Sequence, residues 1–152
     1  MSFVIRRALL HESELLTGIA HAAKREWNYP ESWIQAWRNH LTITSAYIAE
    51  NDVYVLEDGG EVKGFHAVAL RGSVTWLEHL WVSPKSMRHG LGHKLFVHAA
   101  EIARARGASE LQIESDPNAE GFYLKMGARR AGEVSSMIEG ELRSLSRLVF
   151  QL

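Results

Sequence analysis

Residues 80–106 constrain this chain more tightly than any other stretch. In LWVSPKSMRHGLGHKL an apolar strand ends at Pro84, and a loop then delivers glycines at 90 and 92. An amphipathic helix follows at once from Gly90 to Arg106, with Leu91, Leu95, Ala99, Ile102 and Arg106 on one stripe and Gly107 as its stop. Glu110 to Glu114 reads as the next strand, so the segment is a strand–helix–strand crossover. Where a strand turns through glycines into a helix start, several N–H groups point into one concavity, and the helix end adds positive potential. A Cβ there would obstruct the turn or hold an anion away from the backbone. The expected ligand therefore carries phosphate.

Around this unit the pattern is that of an α+β domain. Phe3 to Leu9 reads as a strand. Glu12 to about Trp27 and Glu31 to about His40 read as helices separated by Asn28-Tyr29-Pro30. Ala46 to Ala49 reads as a short strand or a turn. Val53–Leu56, Val62–Leu70 and Val74–Val82 form an antiparallel meander, turning at Glu57–Gly60 and Arg71–Ser73. Pro117 to Met126 is a short helix with Asp116 or Asn118 as its cap. Ala128–Met137 and Ser144–Leu152 close the sheet. The sequence has no internal repeat and no linker rich in proline, glycine or serine, so 1–152 is read as a single domain.

Composition removes several function classes. The chain has no cysteine, which excludes a disulfide scaffold, a thiolate metal site and a cysteine nucleophile. A net charge of −1 gives no general field for nucleic acid or an anionic membrane. The first residues meet charges early, as a signal peptide does not, and no apolar run reaches the roughly 20 residues a bilayer requires. A cytoplasmic protein is expected. His89 and His93 have the i, i+4 spacing of a helical zinc pair, but glycines intervene and H-E-x-x-H is absent, so no metal is expected.

Three further positions carry chemistry. Glu78 lies in Trp76-Leu77-Glu78-His79-Leu80-Trp81-Val82, an apolar strand. It is either a solvated outward carboxylate or a general base whose pKa burial raises towards neutrality. His79 is the competing base, on the opposite face if the strand alternates simply and with uncertain facing if it is bulged. Tyr123 lies beside the Ala119, Phe122 and Met126 stripe, free to face a cleft or to pack. Asn118 is a ligand contact or a cap.

Strand, proline, variable loop, G-x-G, long helix, strand, then Asn118-Ala-Glu-Gly-Phe122-Tyr123-Leu-Lys-Met-Gly127 resembles the GNAT N-acetyltransferase superfamily. The resemblance runs through the whole chain in element order and is sharpest from Leu77 to Gly127. It implies a mixed, mostly antiparallel twisted sheet flanked by helices, whose fourth and fifth strands splay to admit acetyl-CoA. It also implies direct acetyl transfer to a primary amine, on a small molecule or a peptide. Leu80, Trp81 and Val82 would lie along the pantetheine arm. Met87, Arg88, His89, Gly90, Leu91, Gly92 and His93 would hold the pyrophosphate, with Lys85 and Lys94 as possible additional charges. Asn118 would bond the cofactor arm. Tyr123 would protonate the departing thiolate, and Glu78 would be the base. One departure from the family pattern, [Q/R]-x-x-G-x-[G/A], is Met87 where Gln or Arg is usual, which shifts the expected phosphate contact to backbone N–H groups and Arg88. Trp27, Tyr29, Trp33 and Trp37 match the segment that lines the acceptor pocket, where one or two would form an apolar or cation-binding wall. A non-catalytic acyl-CoA-binding module of the same fold is the alternative. An enzyme using another acyl group or a metal-dependent hydrolase is a further one. The last strand, carrying Leu148, Val149 and Phe150, is read as a sheet edge able to pair in a homodimer, or as simple sheet completion.

Overall fold

The computed structural model describes residues 3–152. The strands are β1 (Phe3–Arg7), β2 (Asp52–Asp58), β3 (Glu61–Arg71), β4 (Val74–Val82), β5 (Glu110–Ser115), β6 (Arg129–Ile138) and β7 (Glu141–Gln151). The helices are α1 (Ser13–Arg25), α2 (Glu31–Ala36), α3 (Ser45–Glu50), α4 (Leu91–Ala105) and α5 (Glu120–Lys125). The strands form one seven-stranded sheet in the order β1-β2-β3-β4-β5-β7-β6. Every neighbouring pair is antiparallel except β4 and β5, which run parallel and meet only at Trp76 and Gln112. This is the expected α+β architecture, with the crossover helix α4 joining the two parallel strands.

Two apolar clusters clamp the sheet. One packs Leu16, Ile19 and Ala20 of α1 and Ile48 of α3 on Val53, Val55, Phe65 and Ala67. The other packs Phe96, Ala99 and Ala103 of α4 on Val68, Leu77, Leu111, Ile113 and Leu148. Alternation along β2 and β3 explains the division, because successive side chains feed opposite faces. No helix among the described residues is long and apolar enough to cross a membrane.

Three expectations are corrected. Residues 46–49 are helical, not strand or turn. The Thr44 hydroxyl accepts from the Tyr47 N–H at 3.0 Å, which caps the short α3 and sets the start of β2 at Asp52. The short helix α5 has no side-chain cap, since Ala119 occupies that position. Asp116 Oδ1 accepts instead from the Asn118 N–H at 2.8 Å, closing a turn ahead of the helix. The last strand is not an edge. β7 lies between β5 and β6, pairing Leu148 with Ile113 and Val149 with Gln112, and both of these β7 residues are buried. Its apolar run completes the sheet, so the edge argument for a homodimer is lost, and the edges are β1 and β6.

Candidate active site

The sheet is bulged where the chemistry is expected. In β3 and β4, Ala67 pairs with His79 while Val68 pairs with Leu77, so Glu78 is the extra residue of β4. Without the bulge, Glu78 and His79 would face opposite ways. With it, both reach the α3 side. The Tyr47 hydroxyl donates to Glu78 Oε1 at 2.6 Å, and the Tyr47 and His79 rings lie 5.7 Å apart, edge to face.

A cleft of about 710 Å³ opens over this point, where β4 and β5 part beyond Trp76. Glu78, Leu80, Trp81 and Tyr123 all line it. Val82 and Asn118 do not, and neither do the loop residues Met87 to His93, which lie further along at the start of α4.

Glu78 is held as a carboxylate. Burial pushes its pKa up, but bonds from Arg71 (2.9 Å from both Nε and Nη2) and from Tyr47 outweigh it, and the group falls below the usual carboxylate range. The expected rise towards neutrality does not occur, because these two partners stabilise the charged form more than burial disfavours it. His79 is buried, which lowers its pKa to about 4. Its Nδ1 lies 3.0 Å from Trp81 Nε1, which can only donate. A neutral His79 accepting at Nδ1 carries its proton on Nε2, so neither nitrogen is open to take another proton. Tyr123 is buried, and burial alone pushes its hydroxyl above the usual tyrosine value, so it stays protonated.

The loop has the geometry of a backbone cradle. A single 3-10 turn at Pro84–Ser86 leads to an extended Met87, then Arg88 at φ 66 and Gly90 at φ 78. The left-handed turn at Gly90 is what releases the chain into α4, whose first residue is Leu91. No side chain caps the helix, and its first backbone bond runs from the Lys94 N–H to the Gly90 carbonyl. The N–H groups of Leu91, Gly92 and His93 are thus left for a ligand or water. Lys85 is drawn to Glu61 at 2.6 Å, and Lys94 Nζ lies 4.3 Å from the Phe3 ring centre. The opened β4 edge and this capless helix start fit a long ligand with phosphate at one end, the shape of a CoA thioester.

Across the cleft stands a polar cluster centred on Asp116, a residue that the sequence offers only as a helix cap. Asp116 accepts from Lys24 Nζ at 2.8 Å and from the Tyr29 hydroxyl at 2.9 Å, and Arg143 Nη2 lies 3.6 Å away. Asn118 Nδ2 donates to both Asp116 and the Tyr29 hydroxyl at 3.0 Å, which turns it towards this cluster. Burial raises the Asp116 pKa, but Lys24 and the Asn118 bonds bring it below its usual value, while burial lowers that of Lys24. Lys24 Nζ lies 4.2 Å from the Trp37 ring centre, and the Arg143 guanidinium lies 5.1 Å from those of Tyr29 and Trp37. The aromatic cluster expected to bind a cation is therefore occupied by cations of the chain itself. The hints in the sequence were faint: Asp116 looks like a helix cap, and Arg143 is a cation on the β7 face that also carries Leu145.

Among the described residues no three of His, Asp or Glu stand close enough to hold a metal ion.

Comparison with known proteins agrees with this geometry. The sequence model of the acetyltransferase (GNAT) family matches residues 14–128. A 5-NmdU N-acetyltransferase of Pseudomonas phage PaMx11 is 26% identical over 133 residues, which is 86% of this chain and 89% of the phage protein. A GCN5-related N-acetyltransferase from Rhodopseudomonas palustris superposes with a TM-score of 0.80 at 21% identity, covering 100% of this chain and 97% of its own. The PaiA N-acetyltransferase from Thermoplasma acidophilum, solved in complex with coenzyme A, also gives 0.80 at 16% identity with 100% of both chains covered.

Proposed function

The chain belongs to the acetyltransferase (GNAT) family, and from that premise we propose that it moves an acetyl group directly from acetyl-CoA to a primary amine in the cleft between β4 and β5. The observation that carries this reading is the parting of two parallel strands after one paired position, with Glu78 and Tyr123 lining the space between them. Bound acetyl-CoA supplies an activated acetyl group. Along the opened β4 edge, Leu80, Trp81 and Val82 hold the pantetheine arm, and backbone N–H groups there polarise the thioester carbonyl. Met87 to His93 hold the pyrophosphate, chiefly through the uncapped N–H groups of α4.

Glu78 acts as the base. Attack needs a neutral amine, and the Glu78 carboxylate, ionised throughout the neutral range, accepts the amine proton directly or through water. Tyr47 and Arg71 fix its orientation while reducing its basicity. As the C–S bond breaks and the C–N bond forms, Tyr123 gives its proton to the leaving sulfur and recovers one from solvent. His79, with Trp81 on Nδ1, keeps the wall of the cleft in shape. Asn118 bonds Asp116 and Tyr29 from outside the cleft lining, so we assign it to holding that cluster in place in preference to the cofactor arm.

Thermal unfolding with and without acetyl-CoA, read beside thiol release across a panel of amines, tests this reading. Stabilisation by acetyl-CoA with amine-dependent thiol release is expected. Stabilisation with no release for any amine would favour a binding module, and the absence of both would remove the reading.

A further inference from the structure

Arg143 is the cation of the cleft that has the most unused binding capacity. It projects from β7 among Tyr29, Trp33 and Trp37, with ring centres 5.1, 5.7 and 5.1 Å from its guanidinium carbon, and its side chain is 13% exposed. A guanidinium has five N–H donors. Among the described residues, Arg143 makes one hydrogen bond, from Nη2 to the Tyr29 hydroxyl at 2.8 Å, and Nε and Nη1 have no protein acceptor. The nearest carboxylate, Asp116, is already engaged by Lys24, Tyr29 and Asn118 at 2.8–3.0 Å. Two full cations thus surround one carboxylate in a nearly dry corner of the cleft. Of the other acids lining the cleft, Glu78 is paired with Arg71, and Glu114 is exposed. The local surplus is one positive charge.

A surplus cation with a planar donor fork, stacked on rings and largely out of water, is a poor arrangement unless an anion completes it. The three rings crowd the guanidinium and limit its freedom. Nη2 carries two N–H groups and gives one to Tyr29, so one of the two parallel forks, Nε with Nη2 or Nη1 with Nη2, stays open for two N–H···O bonds. One excess charge matches a monoanion, whereas a phosphate monoester would bring a second, unmatched charge.

We propose that the acceptor is an amine that also carries a carboxylate, and that Arg143 binds that carboxylate through the fork that its Nη2–Tyr29 bond leaves open, Nη2 with either Nη1 or Nε. This rests on the acetyltransferase reading of the same cleft, and it narrows the acceptor from amines in general to amino acids and related amino carboxylates. Arg143 then anchors the acceptor by the end remote from its amine, leaving the amine to reach Glu78.

The test uses matched acceptors whose amines ionise alike: 5-aminopentanoate, its carboxamide and 4-aminobutyl phosphate. With the wild-type protein and acetyl-CoA, kcat/KM for the carboxylate is expected to exceed that for the carboxamide by roughly 30-fold, the worth of a charge-assisted bidentate contact. In Arg143→Gln the ratio should collapse to about twofold, and Arg143→Lys should restore part of it. Quenching of tryptophan fluorescence by each compound, read on the CoA-bound protein, reports binding at Trp33 and Trp37 even where turnover is slow. Equal binding of carboxylate and carboxamide, a preference for the phosphate, or a ratio unmoved by Arg143→Gln would overturn the proposal. Failure of acetyl-CoA to stabilise the protein in the same samples would instead count against the acetyltransferase reading beneath it.

Discussion

Glu78 carries two opposing demands. A base gains from a raised pKa, yet Arg71 and Tyr47 hold this carboxyl low. The consequence is visible in the pH profile. With Glu78 ionised across the neutral range, kcat/KM should rise with pH along the acceptor amine's own ionisation, with no inflection between about pH 5 and 7 from the enzyme's carboxyl. Arg71→Leu removes the pair and lets the carboxyl rise. Each unit by which its pKa then exceeds the assay pH lowers the ionised fraction about tenfold, so an acid limb should appear in the variant's profile. An unchanged acid side in Arg71→Leu would show that Glu78 does not take the proton. Glu78 and Tyr123 stand out in the sequence because a charge in an apolar strand and a polar residue beside a helical stripe are local anomalies, and the structure places both on the cleft wall. Asp116 does not stand out, since its partners Lys24 and Tyr29 lie 92 and 87 residues away, and no local pattern announces a contact of that range.

At the scale of elements, the meander, crossover helix and closing strands follow from periodicity and turn residues. α3 was missed because it is six residues long and carries Tyr47 and Ile48, which favour strands. The bulge in β4 leaves no local mark either, since it arises from the pairing of two strands. Its neighbourhood is tightly fixed. A Cβ on Gly64 of β3 would lie 2.7 Å from the Trp81 carbonyl oxygen and 3.1 Å from Leu95. The glycine lets β3 press against the part of β4 that the cofactor would follow. Gly64→Ala should therefore cost roughly 2 kcal/mol of stability in denaturant titrations. It should also weaken acetyl-CoA binding, because Trp81 must move. Wild-type stability in this variant would mean that the β3–β4 contact is looser than a 2.7 Å approach requires.

Over the whole molecule, α1 with α3 on one face and α4 on the other clamp a sheet that opens between β4 and β5. The cost of this design is a set of histidines buried on both faces. Burial lowers the His66 pKa to about 3 and that of His79 to about 4. Both ordinarily ionise near 6.5, so the unfolded chain binds protons that the folded one refuses. Their stability contribution is complete above about pH 6.5 and is lost as pH falls towards the folded values. At pH 5 each histidine should cost on the order of 2 kcal/mol, and urea titrations at pH 7.5 and 5 should show the loss, reduced in His66→Gln. The central claim is that Glu78 and Tyr123 perform acid–base chemistry across one cleft. The measurement that tests it most directly is thiol release with a saturating amine acceptor for wild type, Glu78→Gln and Tyr123→Phe, with folding of each variant verified. A fall of about 100-fold or more in kcat for both folded variants is predicted; wild-type rates in both would contradict it.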